Sequence, residues 1–297
     1  MRPADWLPCA LLLAACGDDS GGPSTQPDFP GEIAYLADGA IQVRDLDAGT
    51  TRRFDLGQDE EGVVSGALAW APDGSAIVFA PFDGDRFLYE LHRVALDGSG
   101  TAVLFPNEAH EAYPAFSPDG RLGYWVNGIV SGEDHGYEIF VDAEPYSPCG
   151  GYCQLSRPAW SPDGTAIIVV GGGNGVDQLI RIDLSSGTET SFLQANGDRN
   201  AEQLVNPEYS RSGDRVAFTR IVFGASETDE IWVVSAGGGN PTRLTRDHFD
   251  DKATWSPDDQ WIAFERNQPP GPLIGVIAAT GGEVSQLIQQ GSAPAWR

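Results

Sequence analysis

Apolar and polar positions along this chain repeat as one short phrase: an aromatic residue, a tight turn and an alternating apolar stretch. In the phrase at residues 157–170 (RPAWSPDGTAIIVV), Trp160 stands before Ser-Pro-Asp-Gly, and β-branched residues follow. Proline pre-sets φ, the aspartate side chain bonds nearby amides and glycine accepts a positive φ, so this tetrapeptide predicts a turn. The apolar residues after the turn predict a returning strand. Related phrases occupy residues 67–80, 113–126, 206–220 and 252–266, and residues 292–297 read SAPAWR.

The phrases recur with the period of a β-propeller blade. Their aromatic anchors are separated by 46, 44, 49, 46 and 41 residues. A third strand such as QLIRIDL at 178–184, a Gly-rich turn and a fourth strand such as ETSFL at 189–193 complete the unit. Four strands repeated with a period in the forties are typical of propeller blades. The anchors are Trp70, Phe116, Trp160, Tyr209, Trp255 and Trp296.

The two ends of the repeat region complete one further unit. Residues 31–56 supply a second, third and fourth strand without a first, and residues 293–297 (APAWR) supply a first strand alone. We therefore predict an all-β fold, a six-bladed β-propeller of four-stranded blades over residues 31–297. In this propeller the N- and C-terminal strands share one blade, which closes the ring and protects its edges.

The repeats resemble the Pro-Asp, WD40-like repeats in the propeller of the TolB family of bacterial envelope proteins. The family pattern matches best at residues 160–169 and 243–264. Two turns depart from it: residues 210–213 read Ser-Arg-Ser-Gly, and Asp259 stands where glycine is usual. The resemblance implies a TolB-like propeller in the cell envelope. TolB carries an α/β domain before its propeller, whereas a short tether precedes the repeats here. We therefore expect that domain to be missing and do not transfer the Tol–Pal partnership.

The first residues, MRPADWLPCALLLAAC, have the features of a targeting segment. The apolar run at 7–15 is too short to span a bilayer, which favours a signal peptide. The sequence LAAC at 13–16 resembles the bacterial lipobox, in which cleavage precedes a cysteine that receives lipid. We predict a lipoprotein signal peptide at 1–15, then a lipidated Cys16 and a flexible Gly/Ser/Pro-rich tether over 16–30. An ordinary secretory signal with an incidental cysteine is the alternative.

Two cysteines remain in the predicted mature domain, Cys149 and Cys153, in the segment PCGGYC. In an exported protein, a pair this close in sequence favours a small disulfide that clips a loop. A redox or metal pair is the alternative, but the spacing differs from the CxxC of redox enzymes.

The charge balance is strongly acidic, with 43 Asp plus Glu against 18 Lys plus Arg and a net charge of −25. Such a field repels phosphate backbones, so we expect no nucleic-acid partner. Solubility accounts for the acidity, with calcium binding, a basic partner or a salty habitat as alternatives. We expect no cofactor, since the aspartate clusters lack EF-hand spacing, although they could hold Ca²⁺. These clusters are Asp45 with Asp47, Asp83 with Asp85, and Asp250 with Asp251.

Motifs of catalysis are missing from the sequence. It contains no GxSxG elbow and no HExxH pair, and the glycine run at 171–175 lacks the P-loop pattern. His92, His110, His135 and His248 form no close metal-ligand pair. We predict no catalytic residues, no metal site and no enzymatic activity. A propeller that binds or cleaves carbohydrate with unmarked carboxylates is the alternative.

Architecture points to a candidate binding face. In a propeller, the links between blades cross one face near the central channel, and loops on rigid scaffolds commonly carry function. Loops at 127–136 and 221–230 share this face. We predict a monomeric module, anchored in the bacterial envelope by lipid alone and periplasmic or on the cell surface, that binds an envelope protein or peptide. A purely structural subunit is a further alternative. The candidate residues are His110, Glu111, Tyr113, Arg157, Glu202, His248, Asp250, Asp251 and Lys252.

Overall fold

The structure of the protein is a computed structural model. The structure describes residues 28–56, 68–106, 108–130, 133–146, 156–172, 175–224 and 227–297. The predicted signal peptide, the predicted lipidation of Cys16 and the predicted disulfide between Cys149 and Cys153 lie outside these residues.

The described residues form β-strands joined by turns, and they include no helix long and apolar enough to cross a bilayer. The chain begins with β1 (Glu32–Ala37), β2 (Ala40–Asp45) and β3 (Thr50–Asp55). There follow β4 (Ala69–Trp70), β5 (Ala76–Phe79), β6 (Phe82–Asp83), β7 (Leu88–Tyr89), β8 (His92–Ala95) and β9 (Gly100–Val103). Next come β10 (Glu108–Phe116), β11 (Leu122–Val130), β12 (Glu133–Val141) and β13 (Glu144–Tyr146).

The second half of the chain continues the same pattern. It contains β14 (Ala159–Trp160), β15 (Ala166–Gly171), β16 (Gln178–Asp183) and β17 (Glu189–Gln194). Then come β18 (Glu202–Tyr209), β19 (Arg215–Val222), β20 (Thr228–Ser235) and β21 (Thr242–Arg243). The last strands are β22 (Phe249–Trp255), β23 (Trp261–Asn267), β24 (Leu273–Ala278), β25 (Ser285–Ile288) and β26 (Ser292–Trp296).

The strands form antiparallel sheets of four. Within the described residues, separate four-stranded sheets have the orders β26-β1-β2-β3, β4-β5-β8-β9, β10-β11-β12-β13 and β14-β15-β16-β17. An eight-stranded sheet has the order β18-β19-β20-β22-β23-β24-β25, with β21 on β20, and β6 pairs with β7. The strands β20 and β22 meet through one parallel pair, Asp229 opposite Phe249. The arrangement confirms an all-β propeller.

The first strands of the repeats lie side by side around the centre. Each of β4, β10, β14, β18 and β22 contacts the next in this order, and β22 contacts β26. The series closes between β26 and β4, where the indole Nε1 of Trp70 donates to the backbone oxygen of Ala295 at 3.0 Å. These strands therefore line the central channel.

The sheet shared by the two ends of the propeller is present as predicted. In the antiparallel pairing of β26 with β1, Trp296 lies opposite Ile33 and Ala295 lies opposite Ala34. Beyond the strand, the amide of Arg297 donates to the oxygen of Glu32 at 2.9 Å, and the amide of Glu32 donates back at 3.0 Å.

The core lies between neighbouring sheets. Every residue of β5 and of β15 is buried, because each second strand is covered on both faces by adjacent sheets. The outer strands β3 and β9 are almost wholly exposed. Burial therefore falls from the channel outward, and chemistry that requires a sheltered setting lies near the channel.

Candidate binding cavity at the centre of the ring

A left-handed residue precedes the anchor aromatic in several first strands. Tyr113, Asn206, Lys252 and Ala293 have φ values of 56°, 52°, 56° and 50°. The strand pairing shifts register around them, for example between Ala112 and Ala115. Non-glycine residues rarely adopt this conformation, and bulges of this kind re-aim the side chains that follow. Sequence reasoning missed these bulges, although proline directly follows Tyr113, Asn206 and Ala293.

The anchor tryptophans join each first strand to the preceding one. The indole Nε1 of Trp160 donates to the oxygen of Ala115 at 3.0 Å, and that of Trp255 donates to the oxygen of Glu208 at 3.1 Å. In both cases, as with Trp70 and Ala295, the acceptor residue stands directly before the preceding anchor. Trp296 donates instead to the oxygen of Pro30 at 2.7 Å. Buried indoles need such partners, and here these partners hold the ring together.

Arginine guanidinium groups cover the faces of three anchors. The guanidinium carbon of Arg297 lies 4.3 Å from the ring centre of Trp70. That of Arg121 lies 4.8 Å from the ring centre of Trp160, and that of Arg215 lies 4.6 Å from the ring centre of Trp255. Cation–π contacts of this length are attractive and leave less of each indole face for a guest.

A central cavity of about 520 Å³ opens between the first strands at the end where the Ser-Pro-Asp-Gly turns lie. This volume is within the range of small-ligand pockets, roughly 300–1,000 Å³. Its wall consists mainly of anchor aromatics, small apolar residues and prolines. The charged residues that line it are Arg157, Glu208, Arg211 and Arg297. The mouth is surrounded by the exposed residues Pro72, Pro118, Pro162, Arg211, Pro257 and Arg297.

The inner part of the cavity carries a buried ion pair. Arg157, which is only 7% exposed, contacts Glu208 through Nη2. The other oxygen of this carboxylate accepts from Thr254 Oγ1 and from the amide of Trp255, both at 3.1 Å. Thr254 Oγ1 accepts in turn from the amide of Trp296 at 3.1 Å. This network fixes the guanidinium of Arg157 at the cavity wall.

Arg211 places a charged side chain at the mouth of the cavity. It stands where the other turns have Pro72, Pro118, Pro162 or Pro257. Its Nη2 donates to the backbone oxygen of Trp255 at 3.1 Å and to that of Trp296. Its amide and that of Ser212 donate to the carboxylate of Asp259 at 2.6 and 2.8 Å. The two turns that depart from the repeat pattern therefore contact each other.

Of the residues predicted for the binding face, Arg157 alone lines this cavity within the described chain. Several others are buried and held by partners inside the protein. Asp250 is fully buried and accepts two bonds from Arg266, at 2.7 and 2.8 Å. Glu202 is buried against Arg220, and Glu111 is 1% exposed and accepts from the amide of Leu91 at 3.4 Å. These side chains support the fold around the channel, and their contact with a partner stays a prediction.

The remaining predicted residues lie at the end of the channel away from the cavity mouth. Asp251 accepts from Asn206 Nδ2 at 2.8 Å and from Thr219 Oγ1 at 2.7 Å, and Lys252 Nζ lies 3.0 Å from Glu265. His110 Nδ1 accepts from the amide of Tyr89 at 3.3 Å. Tyr113 is half-buried, and His248 is exposed.

Burial and neighbouring charges shift two pKa values at this end. Burial raises the pKa of Asp229 to about 6, with further contributions from Asp251, Glu227 and Asp250. Burial lowers the pKa of Lys252, but the carboxylates of Glu265 and Asp251 outweigh it, so the pKa is raised. Lys252 is therefore a stable cation in an acidic setting.

Two of the three aspartate clusters considered for calcium bind backbone amides, and the third, Asp250 with Asp251, lies on β22. Asp83 Oδ1 accepts from the amides of Asp85 and Arg86 at 2.9 and 3.0 Å, and Asp45 Oδ1 accepts from the amide of Ala48 at 2.8 Å. Asp47 accepts from the amide of Gly31 at 3.0 Å. In the part of the chain that the structure describes, no three or more His, Cys, Asp or Glu side chains are grouped to hold a metal ion.

Comparison with known proteins agrees with this architecture. No family model matches the chain. The Tol-Pal system protein TolB of Anaeromyxobacter dehalogenans strain 2CP-C is 37% identical over 102 residues, which are 34% of this chain and 21% of that protein. The chain thus spans about a fifth of the length of the curated relatives it matches.

Solved structures extend the similarity over most of the chain. TolB from Acinetobacter baumannii superposes with a TM-score of 0.70 at 19% identity, over 91% of this chain and 67% of that one. A putative TolB from Agrobacterium tumefaciens gives 0.63 at 18% identity, over 90% and 92%. The fold and its central cavity define the protein as a β-propeller. Its repeat segment is similar in sequence to that of a curated TolB, and its fold is similar to the propellers of two solved TolB structures.

Proposed function

We propose that this chain is a non-enzymatic binding module of the bacterial envelope whose propeller holds a segment of another envelope protein. The observation that carries the proposal is the central cavity, which has an apolar wall and fixed arginines. Concave apolar sites with a few placed polar groups are the usual form of binding sites on rigid scaffolds. The relatives named as Tol-Pal system proteins support an envelope setting.

We count six blades in this module, acting as a monomer. The count treats the eight-stranded sheet as two blades, since one parallel residue pair, Asp229 with Phe249, joins its halves. Each half also begins with its own anchor, Tyr209 or Trp255. Strands of one continuous sheet would be joined by several paired residues, so a single pair marks a contact between two separate blades.

The anchor in this proposal is a lipid on Cys16, after removal of residues 1–15. The lipobox-like sequence LAAC supports it. Cys16→Ser should abolish labelling by a fatty-acid analogue and release the protein from membranes, whereas Cys9→Ser should leave both unchanged. Membrane association that survives Cys16→Ser would refute the lipid anchor.

The binding role is tested by filling the cavity. A photoreactive residue at Pro118, exposed at the mouth, should cross-link the full chain to a discrete envelope protein in its own cells. Ala115→Trp places a large ring at the cavity wall and should remove this adduct. Ala102→Trp, on the exposed outer strand β9, is the matched control and should retain it. An adduct that persists with Ala115→Trp would contradict binding in the cavity.

The alternative of a carbohydrate-binding or carbohydrate-cleaving propeller has weaker support. Sugars present hydroxyl groups on many sides, and a buried polar group without a partner costs about 1–3 kcal/mol. The indole N–H groups of the lining residues Trp70, Trp160 and Trp296 already donate to backbone oxygens. Among the described residues, the cavity wall therefore has few groups left to satisfy a sugar.

A further inference from the structure

We infer that the central cavity recognises a peptide segment that carries one carboxylate among apolar residues, with Arg211 and Arg157 as the groups that receive the carboxylate. The inference rests on the proposed function and names the chemistry of the partner.

The first argument is the supply of hydrogen-bond donors in the cavity. Proline has no N–H, and prolines make up much of the wall and mouth. The hydroxyl groups of the lining residues Ser117 and Thr254 donate to Asp119 and Glu208, and Ser210 Oγ lies 3.1 Å from Ser212 Oγ. With the lining indoles also engaged, the cationic donors that a carboxylate can meet in the described lining belong to arginine.

The second argument is how the two arginines are held. A guanidinium group has five N–H donors. Within the described chain Arg157 uses Nη2 on Glu208, and Arg211 uses Nη2 on two backbone oxygens. Arg211 forms no ion pair with a described carboxylate. Both groups therefore keep donors for a carboxylate, and the neighbouring acid Asp259 binds the backbone amides of Arg211 and Ser212, not the guanidinium.

The third argument is local charge. The chain as a whole has a net charge of −25, yet the described residues that line the cavity include three arginines and one glutamate. Aspartates of the surrounding turns, such as Asp73, Asp119 and Asp163, are bound to hydroxyls and amides of their own turns. This outer acidic ring repels a polyacidic partner, whereas a single acid between apolar residues reaches the arginines.

The fourth argument is the fit of the rest of the guest. Apolar and proline side chains bury against the prolines and aromatics of the wall without leaving polar groups unpaired. A peptide with such residues beside its acid contacts the apolar wall and also binds the arginines. An anionic sugar binds the arginines but leaves the apolar wall without an apolar partner.

The test begins with selection of random displayed heptapeptides on the full chain, purified from membranes in detergent, with the Ala115→Trp protein for counter-selection. Selected peptides should carry one Asp or Glu flanked by proline or aromatic residues. Replacing that acid by its amide should weaken binding about 10-fold to 100-fold, as expected for a charged hydrogen bond.

Variants of the protein then locate the carboxylate. Arg211→Gln should weaken binding of the acidic peptide by a similar factor and leave binding of the amide peptide unchanged. Arg53→Gln, on the exposed strand β3, should alter the binding of neither peptide. Since Arg211 also bridges backbone oxygens, Pro118→Glu provides a second test. This change adds a negative charge at the mouth and leaves the hydrogen bonds of Arg211 in place. It should weaken binding of the acidic peptide more than binding of the amide peptide.

The outcomes separate this inference from the proposed function. Peptides that bind in the cavity without preference for an acid would overturn the inference and leave the binding role intact. Failure to select any peptide, or tighter binding of oligogalacturonate than of any peptide, would also overturn it. The binding role itself is judged by the cross-link at Pro118.

Discussion

Arg211 and Asp259 illustrate how single residues compensate for each other across sheets. A proline at position 211 would present no N–H, whereas arginine adds a donor to the turn. The carboxylate of Asp259 accepts that donor at 2.6 Å and the amide of Ser212 at 2.8 Å. Asp259 holds φ at 59°, which is the conformation that favours glycine in this turn. The carboxylate thus supplies the acceptor at the cost of some backbone strain.

The first prediction is energetic coupling between these residues. Asp259→Gly should destabilise the protein by about 1–2 kcal/mol, because two amides lose their acceptor. In the Arg211→Pro background the same change should cost less, since one of the two amides no longer exists. Urea unfolding of the four proteins forms a double-mutant cycle. If the losses in free energy of unfolding were purely additive, the residues at positions 211 and 259 would act independently.

The second prediction concerns Asp229, whose folded pKa is raised to about 6. Between about pH 4 and 6 the unfolded chain ionises this acid first, so the folded state loses stability as pH rises through that window. Asp229→Asn should therefore stabilise the protein at pH 7 to 8, on the order of 1 kcal/mol for a half-exposed group. The gain should vanish below about pH 4.

Thermal melts across pH test this prediction. Asp214→Asn, which removes a carboxylate at an exposed position, is the matched control against which the gain for Asp229→Asn is measured. A gain for Asp229→Asn that is equal at pH 3 and pH 8 would contradict the argument.

At the scale of elements, the first strand of each repeat does most to build the site. Its bulge turns the chain at residues such as Tyr113 and Lys252, and its anchor then packs against the preceding strand. Where the anchor is Trp160 or Trp255, one side chain supplies a hydrogen bond, an apolar surface and a platform for arginine. The strand therefore determines both the spacing of the ring and the wall of the cavity.

The third prediction tests the indole hydrogen bond between first strands. Trp160→Phe keeps an aromatic ring but leaves the oxygen of Ala115 without its donor, which should cost about 1–3 kcal/mol. Trp261→Phe, where the partly exposed indole packs edge-on against Phe29, is the control and should cost less. Equal losses in chemical denaturation would indicate that ring size, and not the hydrogen bond, accounts for the effect of Trp160.

At the scale of the whole molecule, the ring depends on its last strand. The strand β26 pairs with β1, supplies the buried Trp296, and offers the oxygen of Ala295 to Trp70. It therefore joins the first and last parts of the propeller through backbone pairing, side-chain packing and a hydrogen bond to the next strand in the ring.

The fourth prediction is that removal of residues 292–297 destabilises the entire propeller. Loss of one buried tryptophan alone typically costs about 3–5 kcal/mol, a large share of a domain stability of about 5–15 kcal/mol. The deletion should melt well below the Trp296→Ala protein, because it also leaves β1 without its inner neighbour. A deletion that melts within a few degrees of the intact chain would contradict the shared blade and the count of six.

The sequence alone determined the repeat, its turns, the anchor aromatics and the shared sheet at the two ends. These features follow from residues close together in the chain, such as Ser-Pro-Asp-Gly after Trp160, and from their regular spacing. Turn chemistry and strand alternation act locally, so they can be read without knowing which sheets will meet.

Only the tertiary structure decided which polar residues face the cavity. Asp250 and Glu202 were predicted at a binding face, but they are buried against Arg266 and Arg220 on neighbouring strands. Arg211 was noted as a departure, yet its place at the cavity mouth and its contact with Asp259 required the packing of one turn on another. The physical reason is that burial and ion pairing depend on groups brought together from distant parts of the chain, which no local pattern records.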